Sequence, residues 1–498
     1  MTTQTVTDAA PEARSGLDPW RRDELPPAPR PKGLGWFSAI GPGVIVLGVS
    51  IGSGEFLLGP AAFVKYGLSL LWVVGIAALL QTLLNVELMR YTMATGEPIM
   101  TGFMRTRPHS TFWAWFYATF YFLQMGWPGW AGAAAGAIFF LVAKRLPGAG
   151  ETGIVYWIGV GLFLLCGCVL MIGRRIERTL EYLNWIMITA IIGGFGLLAL
   201  MFVPLSTWAA GLAGFAGFDL RTGSFQFVPA GADFFLLGAF AAYAGGGGVA
   251  NLTLSNWARD KGYGMSSSVG FIPAAVGGKK VALAHSGSTF EPNAESMKQW
   301  RGWWRIVRVD QWGVFFTGAI LGMALPALLY VTFVPAGSDI RGLGIAAALA
   351  QAVATQKGAI FGGAIAILGV WILFKAQLDI LEGMTRAITD ILWTGSARIR
   401  AWRGGDVRVV YYSVLAVISV WGIIALRLTQ PIILLSLSAN MAGIVFIISS
   451  IHVLYVNTRL LPVALRPPLW RRLALVALAL FYGLFLTMWV WSLVSKSL

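Results

Sequence analysis

Glu55 lies deep inside an apolar run that extends from Trp36 to Val64, directly after Gly52-Ser53-Gly54. A carboxylate in such a setting is expensive to bury, so it invites a functional reading. Three chemistries are open to it. As a ligand it could bind a hard cation, with the Ser53 hydroxyl and the carbonyls of Gly52 and Gly54 as oxygen companions. As an acid it could take up and release a proton. As a cap it could accept hydrogen bonds from amides freed where a helix restarts. A second apolar run carries four consecutive glycines, Gly245, Gly246, Gly247 and Gly248, followed by Asn251. Each glycine costs roughly 1 kcal/mol relative to alanine in a helix. The run of four predicts unwinding, although single glycines in such helices more often serve close packing. The freed carbonyls and the Asn251 side chain are then further oxygen donors.

Lys375, Asp379, Glu382, Arg386 and Asp390 form a ladder with spacings of four, three, four and four. At about 100° per residue they share a stripe roughly 80° wide. The stripe reads either as a vestibule or proton relay, or as buried i,i+4 pairs, Lys375 with Asp379 and Glu382 with Arg386. Paired charges are the simpler reading, with Asp379 the strongest exception. On the relay reading, Asp379, Glu382 and Glu55 are the pathway residues, joined by Gln124 in the third apolar run. Pro128 is expected to kink that run. Glu87 and Arg90, three apart, read as an internal pair. His109, His285 and His452 form no metal-spaced cluster. Cys166 and Cys168 point about 200° apart on a helix and read as small packing residues. No nucleophile and base stand at a catalytic spacing, so an enzyme is not expected, and no cofactor is implied.

The elements that must position these groups are membrane helices. The 498-residue chain is 57% hydrophobic and 12% charged. A soluble domain carries about twice that charged fraction. The apolar residues fall in continuous blocks near or above the roughly 20 residues that span a bilayer. They lack the in/out alternation of a barrel, and inside lipid the backbone must bond to itself. About eleven spans are expected. They run near Trp36 to Val64, Leu68 to Met93, Phe112 to Val142, Ile154 to Ile172, Leu180 to Val203, Ala232 to Trp257, Val309 to Val334, Ala359 to Trp393, Val409 to Ala425, Ile432 to Val456 and Leu473 to Val494.

The net charge of +15 alternates between basic-rich and basic-poor loops, so it reports topology and not a nucleic-acid partner. The rule predicts a multi-pass protein of the cytoplasmic membrane with its N-terminus inside. An odd number of spans would put the C-terminus outside. Residues 1–35 are polar and Pro-rich and read as a disordered cytoplasmic tail. Residues 36–460 form the expected core, and residues 470–498 an additional C-terminal helix. The Trp- and Arg-rich stretch Trp300 to Arg308 reads as an interfacial helix.

The two breaks are five spans apart, so the broken helices cross in opposite directions. That is the signature of an inverted repeat, here about 36–203 and 232–456, with substrate and ion bound between the breaks. At this point the chain resembles the Nramp divalent-metal transporters. Gly41-Pro42-Gly43, an apolar run and a four-residue break look like the start of that family. Thr95-Gly96 and Asn251-Leu252 match further family dipeptides. The resemblance implies an all-α, LeuT-like 5+5 fold with helices 1 and 6 broken, and it makes Asn440 the nearest analogue of a tenth-span polar residue near the metal. The family's metal-binding Asp falls on Gly52, its Pro on Ser53 and its Asn on Glu55. The sixth-span Met-Pro-His is absent. Losing the thioether and imidazole argues against manganese or iron and leaves a hard cation better served. The expected function is a secondary transporter of a divalent cation, with proton coupling open. The alternative is a cation-coupled symporter of a small organic solute such as an amino acid. The partners expected are the transported ion or solute and the lipid bilayer.

Overall fold

The computed structural model describes residues 16–52, 54–172, 175–276, 278, 283–338, 340 and 344–497. The first apolar run forms α1 (Pro42–Ser50), a π-helical turn (Gly54–Leu58) and α2 (Gly59–Tyr66). Pro42 opens α1, where its missing N–H costs nothing. The second run is α3 (Leu71–Thr95), stopped by Gly96 in a left-handed conformation. The third is α4 (Ser110–Met125) and α5 (Gly129–Ala143), separated at the expected Pro128 kink. α6 (Thr152–Leu170) and α7 (Ile176–Phe202) follow. The sixth run forms α8 (Phe234–Ala242) and α9 (Val249–Lys261). Beyond it, α10 (Ala294–Arg308) continues through a π-helical stretch, Val309–Phe316, into α11 (Thr317–Phe333). The last long helices are α12 (Ala359–Gly395), α13 (Val407–Ala425), α14 (Pro431–Arg459) and α15 (Leu469–Ser497).

Among the described residues, ten helices are long and apolar enough to cross a membrane. The sixth expected span is not among them, because its glycines divide it into segments of 9 and 13 residues. The first run is buried along its whole apolar window (100%), whereas the windows of α7 and α15 are 28% and 22% buried. The broken helix is therefore the centre of the bundle, and α7 and α15 turn apolar side chains such as Leu197, Leu200, Leu480 and Trp491 outward.

The expectation of a disordered tail is corrected for residues 16–35. Arg21–Arg22 pairs in parallel with Ser288–Thr289. Trp303 Nε1 donates to the Pro26 carbonyl at 2.9 Å, and Arg105 Nη1 donates to the Asp18 carbonyl at 2.9 Å. Leu25 is buried, and Trp20 packs on Tyr91 beneath the Arg105 guanidinium. Composition counted the prolines and charges here. It gave no weight to two apolar anchors on an extended strand whose carbonyls remain free to accept. α10 buries Trp300, Trp303, Ile306 and Val307 on one face, as an amphipathic helix should.

Candidate functional site

In an uninterrupted helix the Gly52 amide would donate to the Gly48 carbonyl. In the first break it does not. Gly52 N donates to Glu55 Oε2 at 3.0 Å, and Ser50 Oγ donates to Glu55 Oε1 at 2.9 Å. The Gly48 carbonyl instead accepts from Lys375 Nζ, reaching in from α12. The two halves of one helical hydrogen bond are thus separated and held by two side chains of opposite kind, the Glu55 carboxyl group on the amide and the Lys375 amino group on the carbonyl. Lys375 Nζ also donates to Asn184 Oδ1 of α7 at 3.3 Å and lies 3.7 Å from Asp379 Oδ2. Asn184 Nδ2 donates to Asp379 Oδ1 at 3.0 Å. Glu55, Asn184, Lys375 and Asp379 are all fully buried. This convergence needs glycine at 48: a Cβ there would stand 1.9 Å from Asn184 Oδ1 and 2.3 Å from Asp379 Oδ2.

The second break is held by neutral side chains. Gln124 Nε2 donates to the Gly247 carbonyl at 2.6 Å, and its Oε1 accepts from Val249 N at 2.9 Å. One amide thereby bridges the unwound stretch and the first amide of α9. Gln81 of α3 spans the other side, donating to the Ala242 carbonyl and accepting from Gly247 N, both at 3.4 Å. Tyr243 Oη and Ser438 Oγ of α14 lie 2.5 Å apart, and Ser438 Oγ donates to the Gln124 carbonyl. The two breaks touch, since a Cβ on Gly54 would sit 1.8 Å from the Tyr243 carbonyl oxygen.

Between them lies a small cavity of about 10 Å³, room for about one water-sized sphere, whose polar and aromatic lining is Ser50, Gln124, Trp130, Tyr243, Gly245 and Gly246. The Trp130 and Tyr243 rings are 6.2 Å apart, and Trp130 Nε1 is buried without a hydrogen-bond partner. The lining is neutral: hydroxyl, amide, indole and backbone groups, with Met125 as a thioether. Among the described residues no group of three or more His, Cys, Asp and Glu side chains is placed to hold a metal ion.

The expected site residues divide. Gly245 and Gly246 line the cavity, and Gln124 both lines it and clasps Gly247 and Gly248 in place. Gly52 packs near the Trp130 indole. Ser53 lies outside the described residues. Glu55 is not on the cavity wall; both of its oxygens are used within the break, which is the capping arrangement. Asn251 pairs with Asn85 at 2.8 Å through its amide nitrogen. Asn440 is a correction: its nitrogen bonds the carbonyls of Ser436 and Phe235, one turn or more from the break, because α14 presents Ser438 there instead. Glu382 is occupied by Trp257 Nε1 at 2.8 Å and Arg386 Nε at 2.6 Å. The far end of the ladder belongs to an ion network in which Arg386 meets Asp260 and Arg259 meets Asp390.

Sequence reasoning missed Gln81, Asn184, Trp130 and Tyr243. A signal existed for two of them, since Gln81 and Asn184 are uncharged polar residues inside long apolar runs. Asp310 was also missed. It accepts from Gly41 N at 3.0 Å and Gly43 N at 2.8 Å, capping the start of α1 from the neighbouring π-helical stretch.

No family model matches the chain. A stretch of 167 residues, 33% of the chain, is 27% identical to the divalent metal cation transporter MntH of Chromohalobacter salexigens. That stretch covers 36% of the relative, so the chain aligns with about a third of its length. Among solved structures, a manganese transporter of Eremococcus coleocola is similar with a TM-score of 0.61 at 16% identity, over 92% of this chain and 89% of that one. Mhp1, a nucleobase-cation-symport-1 family transporter with bromovinylhydantoin bound, is similar with a TM-score of 0.51 at 12% identity, over 95% of each chain. At these identities the likeness establishes the fold. It is an all-α fold of long apolar helices, shared with these two structures.

Proposed function

We propose that the chain is a secondary transporter of the Nramp type that moves a divalent cation through the cavity between its two broken helices. The observation that carries this reading is the meeting of the breaks. Two interrupted helices, five spans apart in the expected topology, place unwound backbone on one buried cavity. Half-helices hinged at such a point can tilt separately, opening the cavity to one side at a time. The arrangement is the one an inverted repeat would generate, with the basic loops and the N-terminus on the cytoplasmic side of the cell membrane. The cation is supported by the MntH and manganese-transporter likenesses. Ser50, Gln124, Tyr243 and the glycine carbonyls offer oxygen, which suits a hard cation such as magnesium or calcium. The test is uptake of magnesium, manganese or calcium into proteoliposomes, paired with binding heats. Gln124→Leu should reduce both. Absence of heat, thermal shift and uptake with all three ions would remove the cation.

One observation favours a second reading, a small organic solute. The lining is neutral and aromatic, with Trp130 and Tyr243 side by side and no carboxylate on the wall. A thermal-shift screen of amino acids and small acids decides between the two. A response there without one to metals selects the organic solute.

A further inference from the structure

Lys375 and Glu55 divide between them the hydrogen bond that an unbroken first span would make. We propose that Lys375 carries a coupling proton: its ammonium is a cation built into the first break, and loss of its proton lets that break rearrange. The proposal rests on the transporter reading but not on the identity of the cargo.

The donor set around Lys375 Nζ is that of a small cation site. A backbone carbonyl at the C-terminal end of α1, an amide oxygen and a carboxylate oxygen approach it from three elements. They are Gly48, Asn184 at 3.3 Å and Asp379 at 3.7 Å. The carbonyl end of a helix carries partial negative charge and attracts cations. The tight fit around Gly48 leaves no room for a side chain between α1, α7 and α12. Asp379 Oδ2 has no hydrogen bond of its own, so its charge is directed at the ammonium. Other titratable groups also face this cluster. Glu55 faces it from the turn after the break and Glu382 from one turn on along α12, while Cys166 of α6 donates its thiol to the Phe374 carbonyl.

Unlike arginine, lysine readily gives up its proton when buried. In that step one N–H bond of the ammonium breaks, its electron pair stays on nitrogen, and the proton leaves to water on whichever side the site opens. The neutral amine holds the Gly48 carbonyl less strongly. With that tie weakened, the end of α1 can part from α7 and α12, and the amides of the break open more often to exchange. Val49 and Ser50 of the cavity wall follow Gly48 directly, and Ile380 follows Asp379. The cluster therefore backs onto the cargo cavity. A cationic cargo and the ammonium repel each other at that range. For such a cargo, proton release and cation entry should go together, which makes exchange the expected stoichiometry.

Hydrogen exchange of the full chain in nanodiscs, without cargo, tests the device. For peptides covering residues 44–58, protection corrected for intrinsic exchange should fall on the order of tenfold or more between about pH 6 and about pH 9.5. Lys375→Arg, permanently charged, should stay protected throughout. Lys375→Met should be unprotected throughout. A flat wild-type profile, or a fall in Lys375→Arg equal to that of wild type, overturns the proposal. If Lys375→Met does not fold, wild type against Lys375→Arg still decides. Uptake of magnesium or manganese by proteoliposomes separates the two claims. No uptake by wild type counts against the cation reading and leaves the exchange result to judge Lys375. Uptake that ignores an imposed pH gradient counts against Lys375 alone.

Discussion

Removing the Glu55 carboxylate should loosen the first break far more than neutralising it. The carboxylate accepts two buried hydrogen bonds, 2.9 Å from Ser50 Oγ and 3.0 Å from Gly52 N. In Glu55→Ala the Gly52 amide loses its acceptor, and an orphaned buried donor costs about 1–3 kcal/mol. The Ser50 hydroxyl can rotate towards a carbonyl one turn back, so its loss is smaller. The space left by the side chain adds to the cost, and relief from burying a charge subtracts from it. The net expectation is a destabilisation of about 2–4 kcal/mol. In Glu55→Gln the amide oxygen can still accept from Gly52, and the amide nitrogen can donate to the Ser50 hydroxyl. That variant should lose only charge assistance, about 1 kcal/mol. The assay is unfolding in mixed micelles titrated with SDS, read together with hydrogen exchange over residues 44–58. Glu55→Ala as stable as wild type, or Glu55→Gln as damaged as Glu55→Ala, refutes the capping argument. A Glu55→Gln protein that is stable yet has lost its response to metal makes Glu55 a ligand instead.

The other expectations concern separate contacts. Gly48→Ala places a methyl 1.9 Å from Asn184 Oδ1 and should destabilise by about 3 kcal/mol or more. Adding Asn184→Ala should recover part of that loss in a double-mutant cycle, and strict additivity would contradict the packing described. Gln124→Leu strands the Gly247 carbonyl and the Val249 amide, which should cost about 2–4 kcal/mol. Its exchange should rise over residues 243–250 and not in the first break. Glu97, outside the spans, accepts from Arg105 at 2.5 and 2.9 Å and from Gly287 N at 2.8 Å. Burial acts to raise its carboxyl, but the Arg105 guanidinium outweighs that and holds it below its ordinary value of 4.5. A depressed carboxylate stabilises above its unfolded value and loses that contribution as pH falls through the folded one. Exchange over residues 16–30 and 283–290 should therefore rise on acidification below about pH 4.5, and Glu97→Gln should show the rise already at neutral pH.

Much of this architecture is local and could be read directly. Long apolar runs demand helices wherever the solvent is lipid, and Gly245 to Gly248 interrupt one of them whatever surrounds it. Pairs three or four apart lie on one helix face, so Glu87 with Arg90, Lys375 with Asp379 and Glu382 with Arg386 followed from spacing. The roles of these groups did not follow. Lys375 reaches a carbonyl 327 residues away, and Gln124 clasps a break 123 residues away. Periodicity states which residues share a face but not which neighbour that face meets. The neighbour depends on the rotation and tilt of each packed helix. For the same reason the sequence placed Glu55 beside the break but left open whether it faces a cavity or an amide. Packing turned it to the Gly52 amide, set Lys375 on the Gly48 carbonyl, and left the cavity wall to Ser50, Gln124, Trp130 and Tyr243.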